Sequence, residues 1–291
     1  MDAERPKKTS YEYGKEAQEK LRTYYYQSKI KDEANHEYQR KKLAIKLVDR
    51  AHKDYFKEIN KSSITLVDIG CSVGTFAIEF SKAGYKTIGI DFDPEAIKIA
   101  RELNEEEHTN AEFYQMDLAD WKTSFAKIDI AVCFDIFEHL HDDELGALFY
   151  ILKKQLSVSG CVIFHTLPQE YDYLFWSNKR GIIRFPFLLN PFKYMGKAIF
   201  QKLVRSYSLL YDIGLVLFKN KTHKQFIKKD GHPNPLTKER LTDIFERANY
   251  SVTYMESGFI SNQFKKRDKK YFEKHPITHR SLWGIAVPDK N

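Results

Sequence analysis

Ile64-Thr65-Leu66-Val67-Asp68-Ile69-Gly70-Cys71-Ser72-Val73-Gly74 is a short run of apolar and β-branched residues that ends on glycine. Such a run reads as a buried strand closed by a tight turn, and the amphipathic stretch TFAIEFSKAG (75 to 84) then opens a helix directly. Gly70 and Gly74 let the backbone turn sharply and let a ligand approach it, while the helix N-terminus that follows favours an anionic group such as a carboxylate. The same alternation continues downstream through KTIGIDF (86 to 92), PEAIKIARELNEEE (94 to 107), AEFYQMD (111 to 117), KIDIAVCF (127 to 134), DDELGALFYILKKQL (142 to 156) and GCVIFHTL (160 to 167). Strand, helix and strand at this spacing imply βαβ units and a doubly wound, mostly parallel α/β sheet. Pro94 after Asp93 and Gly84 after the preceding helix are the expected helix punctuation.

The flanks have a different texture. Residues 10 to 60 read as helical, with Leu43, Ile45, Leu47 and Val48 in charged surroundings. After Pro168 the alternation stops, and it resumes with the helix TKERLTDIFERANY (237 to 250) and the strands SVTYMES (251 to 257) and SLWGIAV (281 to 287). The expected organisation is an N-terminal helical cap (1–62), an α/β core (63–168), an insertion (169–232) and the rest of the core (233–291). The net charge of +7 sits in the insertion, where residues 171 to 229 hold twelve Lys or Arg against Asp172 and Asp212, a local +10 that leaves the remainder at 7 − 10 = −3. Cys71, Cys133 and Cys161 lie far apart in apolar runs, which fits reduced thiols and a cytoplasmic setting rather than a disulfide or zinc framework. The first ten residues carry no apolar signal core, and no stretch reaches the roughly 18 apolar residues of a spanning helix.

Asp91 ends the second strand some twenty residues after the glycine turn, where a carboxylate accepts both hydroxyls of a ribose; a dinucleotide and S-adenosylmethionine (SAM) both satisfy that arrangement. The chain resembles the class I SAM-dependent methyltransferases. Their first motif, an acid followed by three alternate glycines, is matched by Asp68, Gly70, Ser72 and Gly74, with serine at the middle glycine, and Cys71 lies within it. The spacing of the dinucleotide fingerprint is absent. The resemblance continues in Gln115-Met116-Asp117-Leu118, in Phe134-Asp135-Ile136-Phe137-Glu138-His139-Leu140 and in His165-Thr166-Leu167-Pro168, and it covers residues 63 to 168 and 235 to 287 in order. It implies a seven-stranded Rossmann-like sheet. It also implies that SAM is held by Asp68, Gly70, Cys71, Ser72, Gly74, Asp91, Phe92, Met116, Asp117, Leu118 and Phe134, with Asp91 on the ribose and Asp117 at the adenine.

Methyl transfer from a sulfonium is an in-line displacement, so the protein must align the acceptor atom and, where needed, remove its proton. Asp135, Glu138 and His139 follow the fourth strand, and their i, i+3, i+4 spacing places them on one face of a helical turn, as catalytic candidates with His139 as base or acceptor-orienting residue. The same groups suit a divalent cation such as Mg2+, with His232 joining from the far side of the insertion. Glu-His after the fourth strand is similar to the ubiquinone-biosynthesis O-methyltransferases and to the small-RNA 2′-O-methyltransferases, where this region supplies metal ligands. In the latter a histidine precedes a helix-opening threonine by five residues, as His232 precedes Thr237; both motifs carry glutamate where this chain has Asp135.

N-terminal helices and an insertion after strand five usually cover the acceptor in this architecture, so Tyr25, Tyr26, His165, Trp176 and His232 are the acceptor-binding candidates. The insertion holds thirteen aromatic residues among its Lys and Arg, a mixture suited to an anionic acceptor with an apolar part, an anionic membrane surface or RNA. The apolar stretch Leu209 to Phe218 favours peripheral membrane contact over nucleic acid, and Asp212 with its basic neighbours excludes a span. The expected activity is methylation of a hydroxyl or amine on a small-molecule or lipid-linked acceptor. RNA or protein methylation, or a SAM-binding sensor without turnover, is the alternative.

Overall fold

The computed structural model describes residues 15–32, 35–117, 127–166, 195–219, 234, 236–255 and 281–289. Two N-terminal helices, α1 (Lys15–Ser28) and α2 (His36–Tyr55), precede the sheet. The core runs β1 (Thr65–Ile69), α3 (Thr75–Lys82), β2 (Lys86–Asp91), α4 (Pro94–Glu106), β3 (Glu112–Gln115), β4 (Ile128–Phe134), α5 (Asp142–Gln155) and β5 (Leu156–Thr166). Helix α6 (Lys197–Lys219) lies in the inserted segment, and α7 (Lys238–Arg247), β6 (Tyr250–Tyr254) and β7 (Leu282–Pro288) follow it. Local signals fix the helix starts. The side chains of Asn35, Asp93 and Thr237 accept hydrogen bonds from the first turns of α2, α4 and α7, and Pro94 opens α4.

The seven strands are ordered β3-β2-β1-β4-β5-β7-β6. Pairings from β3 to β5 are parallel, and β7 runs antiparallel to both β5 and β6. Chain order reverses between β1 and β4, which makes their carboxyl ends the crevice where such sheets receive ligands. All of β1 is buried, as a strand covered on both faces must be. Its residues alternate between two layers: Val67 and Ile69 join Leu148, Phe149, Leu241 and Phe245 from α5 and α7, whereas Leu66 joins Leu47, Val48 and Ala51 from α2. The first layer centres on Phe149, which stacks on Phe245 at 4.4 Å and meets Phe137 edge-on at 5.3 Å. Truncating one such ring costs about 3 to 5 kcal/mol.

Strand β5 starts four residues before the expected Gly160. Leu156 pairs with Ile128, the register then shifts, and Cys161 pairs with Ile130, so the residues between form a bulge ahead of the regular strand. The helical region of residues 10 to 60 divides into two helices at Asn35, which caps α2 and whose side-chain amide also donates to the Gln27 carbonyl at the end of α1.

Candidate active site

The turn after β1 takes its shape from three alternate left-handed residues, Gly70 (φ 70°), Ser72 (φ 49°) and Gly74 (φ 76°). A β-carbon at Gly74 would stand 2.7 Å from the Phe113 ring, so the loop is packed against β3 where its glycine is required. Ser72 holds the same handedness at the strain cost of a side chain. Its amide donates to Asp91 Oδ2 at 2.8 Å, and the Asp93 amide donates to Asp91 Oδ1 at 3.0 Å. The amides of Gly70 and Cys71 both donate to the Ile90 carbonyl, and the Met116 amide donates to the Asp91 carbonyl at 2.8 Å, which ties the ends of β1, β2 and β3 together.

Two carboxylates lie against this backbone, Asp68 buried and Asp91 half-buried. Burial pushes Asp68 up to about 8, against the Ala77 amide bond that lowers it and with the nearby Asp91 charge adding to the rise. Asp68 is 1% exposed, and its Oδ2 has no protein hydrogen-bond partner. Burial likewise raises Asp91, while the Asp93 and Ser72 amides pull it down. A buried carboxylate oxygen awaiting a donor, a loop open to close backbone approach and an acid fixed at the β2 end fit a ligand carrying a cationic amino-acid portion and a ribose. Phe92, next to Asp91, is 47% exposed and offers an apolar face at the same edge. Met116 and Asp117 are half-buried just past β3. Phe134 is buried, edge-on to Phe76 and Trp283. Leu118 lies outside the described residues.

The ends of β4 and β5 are organised by side chains. Asp135 is left-handed (φ 57°), and its amide donates to the His165 carbonyl at 2.9 Å. One of its carboxylate oxygens pairs with Arg40 from α2 and the other with His165 Nδ1. Arg40 also reaches Glu37 at 3.2 Å and lies over the Phe76 ring. No sequence pattern marks Arg40, because two helices and four strands separate it from its partner; a lone Arg in the amphipathic α2 is the available signal.

Several expectations are corrected here. Asp135, Glu138 and His139 do not share a helical face: residues 137–139 form a single 3-10 turn and Asp135 precedes it in the left-handed region. Glu138 is sealed at 1% exposure and accepts a hydrogen bond from Thr166 Oγ1 at 2.8 Å, whereas His139 is partly exposed. His165 is 1% exposed beneath Trp283, with ring centroids 4.0 Å apart, so it meets Asp135 rather than the open edge. Tyr25 is fully buried among Cys71, Val73, Ala77 and Ile97, and Tyr26 donates to Glu106 on α4 at 2.8 Å; α1 turns both rings onto the α3–α4 face, away from Asp135. Among the described residues no three His, Cys, Asp or Glu side chains come together to hold a metal, and the acids expected to do so are already committed to Arg40, His165 and Thr166. Among the described residues, Asp135, Glu138 and His139 do not converge on one point that could hold Mg2+. Trp176 and His232 lie outside the described residues.

Comparison with known proteins gives this geometry a context. The sequence profile of the family described as "Methyltransferase domain" matches residues 36–254. The ubiquinone biosynthesis O-methyltransferase of Acinetobacter baylyi is 25% identical over 66% of this chain and 77% of its own. The protein of that name from Hydrogenovibrio crunogenus is 28% identical over 37% of this chain and 44% of its own, so this match spans less than half of that relative. Among solved structures, the magnesium protoporphyrin IX methyltransferase of Synechocystis with bound S-adenosylhomocysteine (SAH) superposes with a TM-score of 0.52 at 14% identity, over 93% of this chain and 94% of that one.

Proposed function

The chain belongs to the methyltransferase domain family, as a SAM-dependent enzyme, and we propose that it methylates a hydroxyl or amine of a small-molecule or lipid-linked acceptor at the carboxyl ends of β4 and β5. The observation that carries this reading is the pair of acids, buried Asp68 and half-buried Asp91, at a left-handed backbone turn that adjoins a second, separately organised acidic edge at Asp135. When bound, the cofactor supplies an electrophilic methyl group on a sulfonium. Asp91 would accept the ribose hydroxyls, Asp68 would receive the amino-acid ammonium, and the glycine turn would let the amino-acid portion lie close to the backbone. Phe92, Met116 and Asp117 would border the adenine. On the acceptor side, Asp135 is fixed in place by Arg40 and His165, and the partly exposed His139 removes or orients the acceptor proton. Holding the acceptor in line accounts for most of the rate in such a displacement.

The acceptor class rests on the distant likeness to ubiquinone O-methyltransferases. An anionic acceptor surface is supported by the +10 segment and by α6, which exposes Leu209, Leu210, Leu217 and Phe218 although no described helix is long and apolar enough to cross a membrane. Trp176 and His232 belong to the same acceptor-covering segment. The test is incubation of the protein with SAM and a metabolite and lipid extract, followed by mass spectrometry for the gain of one methyl, with EDTA and Mg2+ arms. A methylated small molecule or lipid is expected. Methylation found only in added RNA or protein overturns the acceptor class; SAH binding without any product makes the chain a sensor; activity abolished by EDTA and restored by Mg2+ brings the metal reading back. Sedimentation with anionic liposomes at low salt, lost on Lys197, Lys202 and Arg205 to Glu, tests the surface contact.

A further inference from the structure

Glu138 is not used by the chemistry above, yet it is one of the most deeply buried acids of the chain. Thr166, the last residue of β5, donates its hydroxyl to the Glu138 carboxylate at 2.8 Å. Asn234, on the far side of residues 167–233, donates its amide to the Glu138 carbonyl at 3.0 Å. The Asn234 side chain donates to the Leu140 carbonyl at 2.7 Å and to Asp142 at 3.1 Å, and Arg240 grips Asp142 with contacts of 2.6 and 2.8 Å. Thr166 and Asn234 are 2% and 3% exposed and Glu138 is 1% exposed, so the bond between Thr166 and the Glu138 carboxylate is shielded from competing water. The residue before Thr166 is His165, whose ring and carbonyl hold Asp135.

We infer that Glu138 is a positioning residue: its side chain and its backbone clamp the two feet of segment 167–233 onto the loop that carries Asp135 and His139. The end of β5, Asn234 and the loop after β4 are therefore tied into one unit, which reaches Asp135 through His165. The role assigned here is carried by the bond from the Thr166 hydroxyl to the carboxylate and by the bond from the Asn234 amide to the Glu138 carbonyl. It rests on the reading of the β4–β5 edge as the acceptor side only for its consequence; the clamp itself is geometry.

The experiment is amide hydrogen exchange by NMR on the full chain, comparing wild type, Thr166→Val, Asn234→Ala and Glu138→Gln, with SAH calorimetry on each. Thr166→Val is close to isosteric, so it removes the hydrogen bond with little change in volume. Expected is a rise of tenfold or more in exchange at the amides of Asp135, His139 and Asn234 together in Thr166→Val, a similar joint rise in Asn234→Ala, no change in β1, and unchanged SAH affinity. Glu138→Gln retains an oxygen that accepts from Thr166 and should keep wild-type rates. Independent changes at the three amides, an equal rise across the whole sheet, or a Glu138→Gln protein as loose as Thr166→Val overturns the clamp. A wild-type protein that does not bind SAH overturns the cofactor reading instead and leaves the exchange result standing.

Discussion

At the ends of β1 and β2 the polypeptide backbone makes the site: three alternate left-handed residues and a set of amides converge on Asp91 and on the carbonyl of Ile90. At the ends of β4 and β5, side chains from α2, from the turn after β4 and from β5 hold one another around Asp135 and Glu138. The first edge is local, assembled from residues 68 to 93, whereas the second gathers residues as far apart as 40 and 234. A backbone-built edge tolerates little change in conformation, whereas a side-chain-built edge changes with single substitutions. On the proposed assignment of cofactor to the first and acceptor to the second, substitutions on the two should separate cleanly in their effects.

His139→Ala should show that separation most strongly. Turnover with the identified acceptor should fall roughly 10²-fold or more while SAH affinity by calorimetry stays within about twofold; equal loss of both would merge the two edges into one. Asp91→Ala should do the reverse, weakening SAH by about 1 to 3 kcal/mol, or roughly 5- to 150-fold, because it removes the acceptor of the ribose hydroxyls. Tight NAD binding in the same calorimeter, without SAM binding, would remove the basis of the comparison.

Asp68 makes the first edge sensitive to pH. Its folded-state value of about 8 lies above the ordinary carboxylate value, so the stability it contributes is present at low pH and is lost as pH rises from about 4 through 8. The melting temperature of the ligand-free protein should therefore fall over that window. Asp68→Asn should flatten the fall without abolishing it, since Asp91 is shifted in the same direction. An unchanged slope in the variant would mean that Asp68 is ionised in the folded chain. The smallest effect is expected at Ser72. Ser72→Gly relieves left-handed strain but loosens the unfolded chain, for a net gain within about 1 kcal/mol by denaturant titration. Ser72→Val should be destabilising, because a β-branched side chain resists that conformation.

These two edges also differ in how far the amino-acid pattern betrays them. The strands and helices of the core are legible because apolar periodicity, Asp93-Pro94 and the Gly70 to Gly74 turn are local signals with one physical solution each. The acids Asp68 and Asp91 are legible for the same reason: strand ends are predictable, and open sheets bind ligands there. Around Asp135 the i, i+3, i+4 spacing misled, since it presumes α-helical geometry that the left-handed Asp135 and the short 3-10 turn do not provide. Arg40 was invisible because a salt bridge between distant elements leaves no periodic trace. The tyrosines of α1 were misplaced because aromatic content says nothing of which face a helix turns inward; Tyr25 fills the space between α3 and α4.

Because Thr166 and Asn234 both end on Glu138, the intervening chain begins and finishes at almost the same point of the scaffold. Loop-closure entropy rises only slowly with length, about 0.6 kcal/mol per doubling, so what lies between those two anchors can lengthen, shorten or change composition with little effect on the sheet. The length of the intervening chain is thus uncoupled from the register of the strands that carry its two anchors.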